Sequence, residues 1–272
     1  MKNGRSRSPA LGRLARAIGL VLLFWILTML LVAVAAPFGA GTRQPELIIG
    51  LLTVPVTFGL TALFIRREHR RLAYYGFEFT AATWLRFLIG LVLGFVLVAA
   101  QTGLMVLGGG IRWETAASLN PSMLLPVAGY LLLATREEIA FRGYPFRKLT
   151  ETSPWAAQLI IALLFAIEHR LGGSSWENAV VGAGVGSLVF GMAALTTRGL
   201  ALPIGLHAAW NIGDWVRGGK GPGGLWHLVV APERARHASA VAMGTYLIVL
   251  GAAFAGLWAW RQLVLRPTAG TA

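Results

Sequence analysis

The sequence predicts an all-α polytopic membrane bundle of about eight transmembrane helices, and three observations predict it. Of 272 residues, 56% are hydrophobic and only 13% are charged, with a mean hydropathy of +0.65; this is too apolar for a water-soluble domain of that length. Apolar runs of membrane-crossing length recur from end to end with short connections between them. Lys and Arg gather in alternate connections, as the positive-inside rule requires of a multi-pass chain.

Taken in order, the runs cover 18–38, 47–65, 85–107, 123–140, 155–167, 179–197, 200–215 and 240–260. They lack the ten-residue alternation of a membrane barrel, so helices are expected throughout. The first follows a basic start and ends near the small residues Ala33 to Ala36, but it is too long for a signal-peptide core and reads as a retained helix. The fifth and seventh are short and carry polar residues. Gly182, Gly184 and Gly186 follow no strand and therefore form no nucleotide loop; with Gly191 they are expected to let helices pack closely. Trp84, Trp155, Trp215, Trp258 and Trp260 fall near span ends and are read as interfacial anchors.

Basic residues set the orientation. Lys2, Arg5, Arg7, Arg13 and Arg16 precede the first run, Arg66, Arg67, Arg70 and Arg71 follow the second, and Arg142, Arg147 and Lys148 follow the fourth. Arg261 and Arg266 follow the last. All of these fall on one side, so both termini are expected in the cytoplasm of a plasma-membrane protein; the basic stretch 217–236 opposes this. The expected organisation is a basic N-terminal tail (1–17), one transmembrane domain (18–262) with its chemistry in 125–215, and a short C-terminal tail (263–272). The net charge of +13 is then a membrane-surface charge, and no nucleic-acid partner is needed. The absence of cysteine excludes disulfides, thiolate metal sites and a Cys nucleophile. The sequence carries no signal for oligomeric state.

Polar residues interrupt the apolar runs in three groups: Glu137, Glu138 and Arg142; Glu168 and His169; His207 and Asn211. A charge in hydrocarbon costs at least a few kcal/mol, so such residues face the bundle interior and mark a working site. Glu137 and Glu138 point about 100° apart on a helix and must differ in role. Glu138 lies four residues before Arg142, the favourable order for a helical ion pair, which leaves Glu137 to face a cavity as a general base. The alternative is an Arg142 that reaches a lipid phosphate while both acids face inward. His169 stands one turn after Phe165, and His207 one turn before Asn211, on shared helix faces. Together these groups can activate a water and polarise a carbonyl, or hold zinc through Glu137, His169 and His207. Depths agree: Glu137 lies about 18 Å from Leu149 and His169 about 21 Å from Trp155, whereas His207 is only about 10 Å past Leu200. The seventh helix must therefore start deep or follow a dip, for which Pro203 is a candidate cause.

The ordered set EExxxR, FxxxH and HxxxN, present as Glu137, Glu138 and Arg142, Phe165 and His169, then His207 and Asn211, resembles the CPBP family of CAAX-protease, bacteriocin-processing (Abi) intramembrane endopeptidases. The wording EEIAFRG, the FG of SLVFGMAALTTRGLALPIGLH, and HAAWN are also similar. The resemblance implies an eight-helix membrane endopeptidase acting on a membrane-associated protein or peptide. It implies that Glu137 and His169 activate water, that His207 and Asn211 steady the oxyanion, and that Glu138 and Arg142 support them. The family has been described both as zinc-dependent and as metal-free; the reading here is metal-free, with no cofactor. Glu168 departs from the family pattern, either favouring a charged His169 or pointing to water. The prenyl substrate of eukaryotic members is not carried over. Two other classes compete: a non-catalytic scaffold or immunity-type protein, which need not keep all four site residues, and a proton-coupled transporter, against which the lack of an inverted repeat argues.

Overall fold

In the computed structural model, which describes residues 8–220 and 223–265, the apolar runs are helical because a backbone in lipid must satisfy its own hydrogen bonds. The helices are α1 (Ser8–Gly39), α2 (Pro45–Arg67), α3 (Ala81–Gly108), α4 (Leu124–Glu138), α5 (Tyr144–Thr150), α6 (Pro154–Leu171), α7 (Val185–Thr197), α8 (Ala201–Val216) and α9 (Ala235–Leu265). Residues 1–7 and 266–272 of the two expected tails lie outside the described residues, and α1 begins ten residues before the apolar run it carries. Among the described residues five segments are long and apolar enough to cross a membrane: α1, α2, α3, the stretch Asn178–Thr197 that ends in α7, and Pro232–Leu265, which contains α9. The shorter α4, α6 and α8 complete the expected set.

The distribution of polarity is that of a protein dissolved in lipid. Leu30, Val34, Leu51, Val92, Leu159 and Ile248 are exposed, while Thr53, Thr57, Thr61, Gln101, Arg136, Glu138, Arg142 and Gln158 are buried. This is an integral membrane protein, with the membrane reading resting on the apolar exterior and the polar interior alike.

Contacts collect the helix ends into two groups. At one end, Lys148 Nζ of α5 meets Glu68 Oε2 at 2.7 Å, Tyr144 Oη donates to Glu68 Oε1, Arg86 Nη1 donates to the Thr197 carbonyl, and the Leu200 amide donates to the Gly76 carbonyl. At the other end, Arg217 binds Asp214, Gln101 and Thr102. Nearby, β1 (Ile111–Thr115) and β2 (Trp226–Val230) pair antiparallel, from Ile111 opposite Val230 to Thr115 opposite Trp226. This ribbon was not expected. Its strands are five residues each and over a hundred residues apart in sequence, so neither announces the other.

α3 and α8 approach closely through small residues: a Cβ on Gly90 would overlap the Leu202 carbonyl, and one on Gly205 the Phe87 carbonyl. Because Leu202 sits opposite Gly90, nine residues into α3, α8 starts about 13 Å below the start of α3. The connection between α7 and α8, where Arg198 takes a left-handed backbone (φ 53°), sits at the end of the bundle with Arg86 and Arg147. Gly191 packs closely as expected, against the Gln158 side chain. Trp84 and Trp155 are exposed as anchors should be, but Trp215 is buried at 4%. It packs on Tyr130, ring centroids 6.1 Å apart, and is a core residue.

Gly205→Val is expected to destabilise the fold by about 1–3 kcal/mol or more through overpacking. Gly59→Val, at a position with open space around it, should leave stability unchanged. Denaturation of the two variants in one detergent compares them directly.

Candidate active site

The helix that carries the first motif does not run straight through it. After Glu138 the chain widens into a π-turn, Ile139–Gly143, all five residues of which are buried, and α5 follows with Pro145 in its first turn. Proline supplies no N–H and its ring crowds the carbonyl four residues back, here that of Phe141. The widened turn accommodates this and places Arg142 inside the bundle.

There, Arg142 and Glu138 form the expected ion pair, Nη1 to Oε1 at 3.2 Å with both side chains fully buried. Arg142 Nη2 also donates to the Ser187 carbonyl (3.0 Å) and hydroxyl (2.7 Å) on α7. The guanidinium lies over the rings of Phe165 and Phe190. Arg142 thus reaches no lipid phosphate, which closes that alternative.

Glu138 Oε1 also accepts from His207 Nδ1 of α8 at 2.8 Å. A carboxylate can only accept, so Nδ1 carries the proton and the ring presents Nε2 on its other side. That nitrogen lies 3.6 Å from Glu137 Oε2. Phe190 stacks on the imidazole, centroids 4.3 Å apart and planes 15° from parallel. The two adjacent glutamates therefore hold opposite nitrogens of one histidine, Glu138 from full burial and Glu137 from a partly exposed position.

His169 is fixed differently. Its Nδ1 bonds the Phe165 carbonyl at 3.0 Å; a carbonyl only accepts, so the neutral ring has its lone pair on Nε2. Phe165 lies between the two histidines, 4.4 Å from the His169 ring and 6.1 Å from that of His207. Both histidines and Asn211 line one cavity of about 410 Å³, whose far wall includes Trp210, Asp214, Lys220 and Tyr246. Glu137 is not a wall residue of this cavity; it meets the wall through His207.

Glu168 neither points to water nor stands alone. It is buried and paired with Arg136 Nη1 of α4, whose Nη2 also reaches the Thr28 carbonyl of α1. Each partner immediately precedes a candidate site residue, Glu137 or His169, so this pair joins α4 to α6 at the level of the site. Sequence spacing could not reveal a bridge across 32 positions. Ser187 and Phe190 were likewise not singled out, although both stand in the SLVFG wording of the resemblance. Asp214 lines the cavity but is engaged by Arg217 at 2.9 Å.

Zinc would need Glu137, His169 and His207 gathered as ligands. Among the described residues no three His, Asp or Glu side chains are gathered closely enough to hold a metal ion; the bond at His207 Nδ1 leaves Nε2 as the nitrogen that would face one.

Glu168→Gln, which leaves the Arg136 charge buried without its partner, is expected to cost about 3–5 kcal/mol of stability. Replacing both residues by Met should recover most of that loss. Thermal or denaturant unfolding in detergent measures both.

No curated protein matches the chain. Residues 119–213 match the family model described as type II CAAX prenyl endopeptidase, Rce1-like. That stretch contains every residue of the three motifs. The motif-bearing core of this membrane protein is therefore similar to the CAAX-protease family of intramembrane proteases.

Proposed function

We propose that the protein is an intramembrane endopeptidase that hydrolyses a peptide bond of a membrane-associated protein or peptide with water activated by Glu137 and His169. The observation that carries this reading is the placement of Glu137 Oε2 3.6 Å from His207 Nε2, beside a cavity whose wall also presents His169 and Asn211. A peptide bond is broken in three movements. Glu137 takes a proton from a water that also hydrogen-bonds to the His169 Nε2 lone pair, and the oxygen attacks the carbonyl carbon. The oxyanion is met by the Asn211 amide and by His207, which Glu138 keeps protonated at Nδ1 so that a second proton can sit on Nε2. Glu137 then returns its proton to the leaving amine.

Glu138 and Arg142 act through His207: Glu138 orients the ring and supplies the counter-charge for its imidazolium form, and Arg142 holds Glu138 in place. The mechanism is metal-free. Both termini face the cytoplasm, and the basic stretch that opposed this orientation is weakened as an objection because Arg217 is committed to Asp214.

Purified protein in liposomes should cleave a peptide bond placed beside a membrane anchor. Glu137→Gln and His169→Ala should each lower the rate by about 10²–10⁴-fold with expression and gel-filtration profile intact, and a chelator should leave the wild-type rate unchanged. Cleavage retained by Glu137→Gln would remove the proposed base, and loss on chelation would restore zinc. Orientation is tested separately: since the chain has no cysteine, Arg70→Cys gives a single thiol, which should react with an impermeant reagent only when the cytoplasmic face is opened.

A further inference from the structure

At the end of the bundle where α5 clasps α2, an apolar cleft of about 230 Å³ opens between α2, α3 and α8. Its walls are Phe58 of α2, Phe77 and Phe79 of the connection, Trp84 and Phe87 of α3, and Ile204 of α8. Phe79 and Trp84 are among the most exposed aromatic side chains, at 85% and 65%, as expected of rings at a membrane–water boundary. The floor of the cleft includes Thr135 and Ile139, which flank Glu137 and Glu138 in sequence.

The cleft does not end in water. Gly76, Glu78, Thr83, Leu200 and Ala201 also wall an adjoining hollow that adds Arg86 and Arg198. Those two arginines, with Arg147, then line a wider space of about 470 Å³ beside Tyr74 and Glu151. Their recorded hydrogen bonds go to carbonyls: Arg86 to that of Thr197 at 3.4 Å and Arg147 to that of Arg198 at 3.0 Å. Among the described residues none of the three forms an ion pair. Of the two acids present, Glu151 is already shared between Lys148 (3.5 Å) and the Tyr74 hydroxyl (3.1 Å), which leaves Glu78 as the remaining carboxylate against three guanidinium groups.

Like charges held this close call for an anion, and guanidinium groups match the oxygens of a phosphate. An anion that also fills an aromatic cleft at the membrane boundary has a lipid tail. We propose that this composite site binds one anionic phospholipid, with an acyl chain in the Phe58–Trp84–Ile204 cleft and its phosphate on Arg86 and Arg198, Arg147 standing behind them. The site is separate from the cavity of His169 and His207 and does not depend on hydrolysis. Its lipid braces α3 against α8 and lies against the turn that follows the two glutamates.

The test uses the full-length protein in detergent, with dioleoyl phosphatidylglycerol or dioleoyl phosphatidylcholine added at equal concentration and retained lipid counted by native mass spectrometry. Wild type should keep one phosphatidylglycerol with a preference of roughly tenfold or more. Arg86→Gln with Arg198→Gln should reduce its retention to the phosphatidylcholine level, and Ala201→Phe, which fills the cleft and leaves the arginines in place, should abolish retention of both lipids. The two variants disable the site independently, so a folding failure of one leaves the other as the test. Equal retention of the two lipids by wild type overturns the proposal, because ordinary bilayer contact then covers the cleft. So does undiminished retention in a folded variant, or complete displacement by inorganic phosphate, which would make it a phosphate site without a tail.

Discussion

A carboxylate with no access to water has to be answered by its neighbours, and in this protein Glu138 is answered by two. Arg142 supplies the charge and His207 Nδ1 the second hydrogen bond, both to the same oxygen. Because Arg142 continues to Ser187, the chain of contacts ties α4, its π-turn, α7 and α8 into one unit. Removing Glu138 or Arg142 would strand a charge in a medium of low dielectric, where its partner's solvation cannot be recovered. The positions of the first and third motifs are thus fixed by electrostatics that lipid makes strong.

The second motif is held by a different pair with the same logic. Arg136 and Glu168 join α4 to α6, and Glu137 and His169 are carried into register because each is the next residue along. Two adjacent acids on α4 thereby belong to two systems: Glu138 faces inward to the buried arginine, while Glu137, about 100° around the helix, is left toward the partly open side of His207. The division of labour between them follows from helical geometry and burial. Phe165 and Phe190, packed on the histidines, fix the ring planes and keep Arg142 dry.

Much of this was legible in the sequence, and the reasons are local. Unbroken apolar runs announce helices because lipid permits little else, and four-residue spacings announce Glu138 with Arg142, Phe165 with His169, and His207 with Asn211. The shallow count for His207 is met relative to α3, since the first turn of α8 packs on Gly90. Contacts between distant elements were not legible. The Arg136–Glu168 pair, the Glu138–His207 hydrogen bond and the ribbon of β1 with β2 depend on which helices become neighbours, and no local period encodes that. Trp215 misled for a related reason: its place near a span end matches an anchor, yet the short α8 lies deep enough for the ring to be covered by Tyr130.

In the proposed reaction water itself is the nucleophile, held between Glu137 and His169. A single turnover in water enriched in the heavy oxygen isotope, followed by mass spectrometry of both peptide product and protein, tests it most directly. One heavy oxygen in the newly formed carboxyl group of the product, with none in Glu137, is the predicted result. An unlabelled product after the first turnover, with heavy oxygen appearing in the Glu137 carboxylate, would show direct attack by the glutamate and rule out water as the nucleophile.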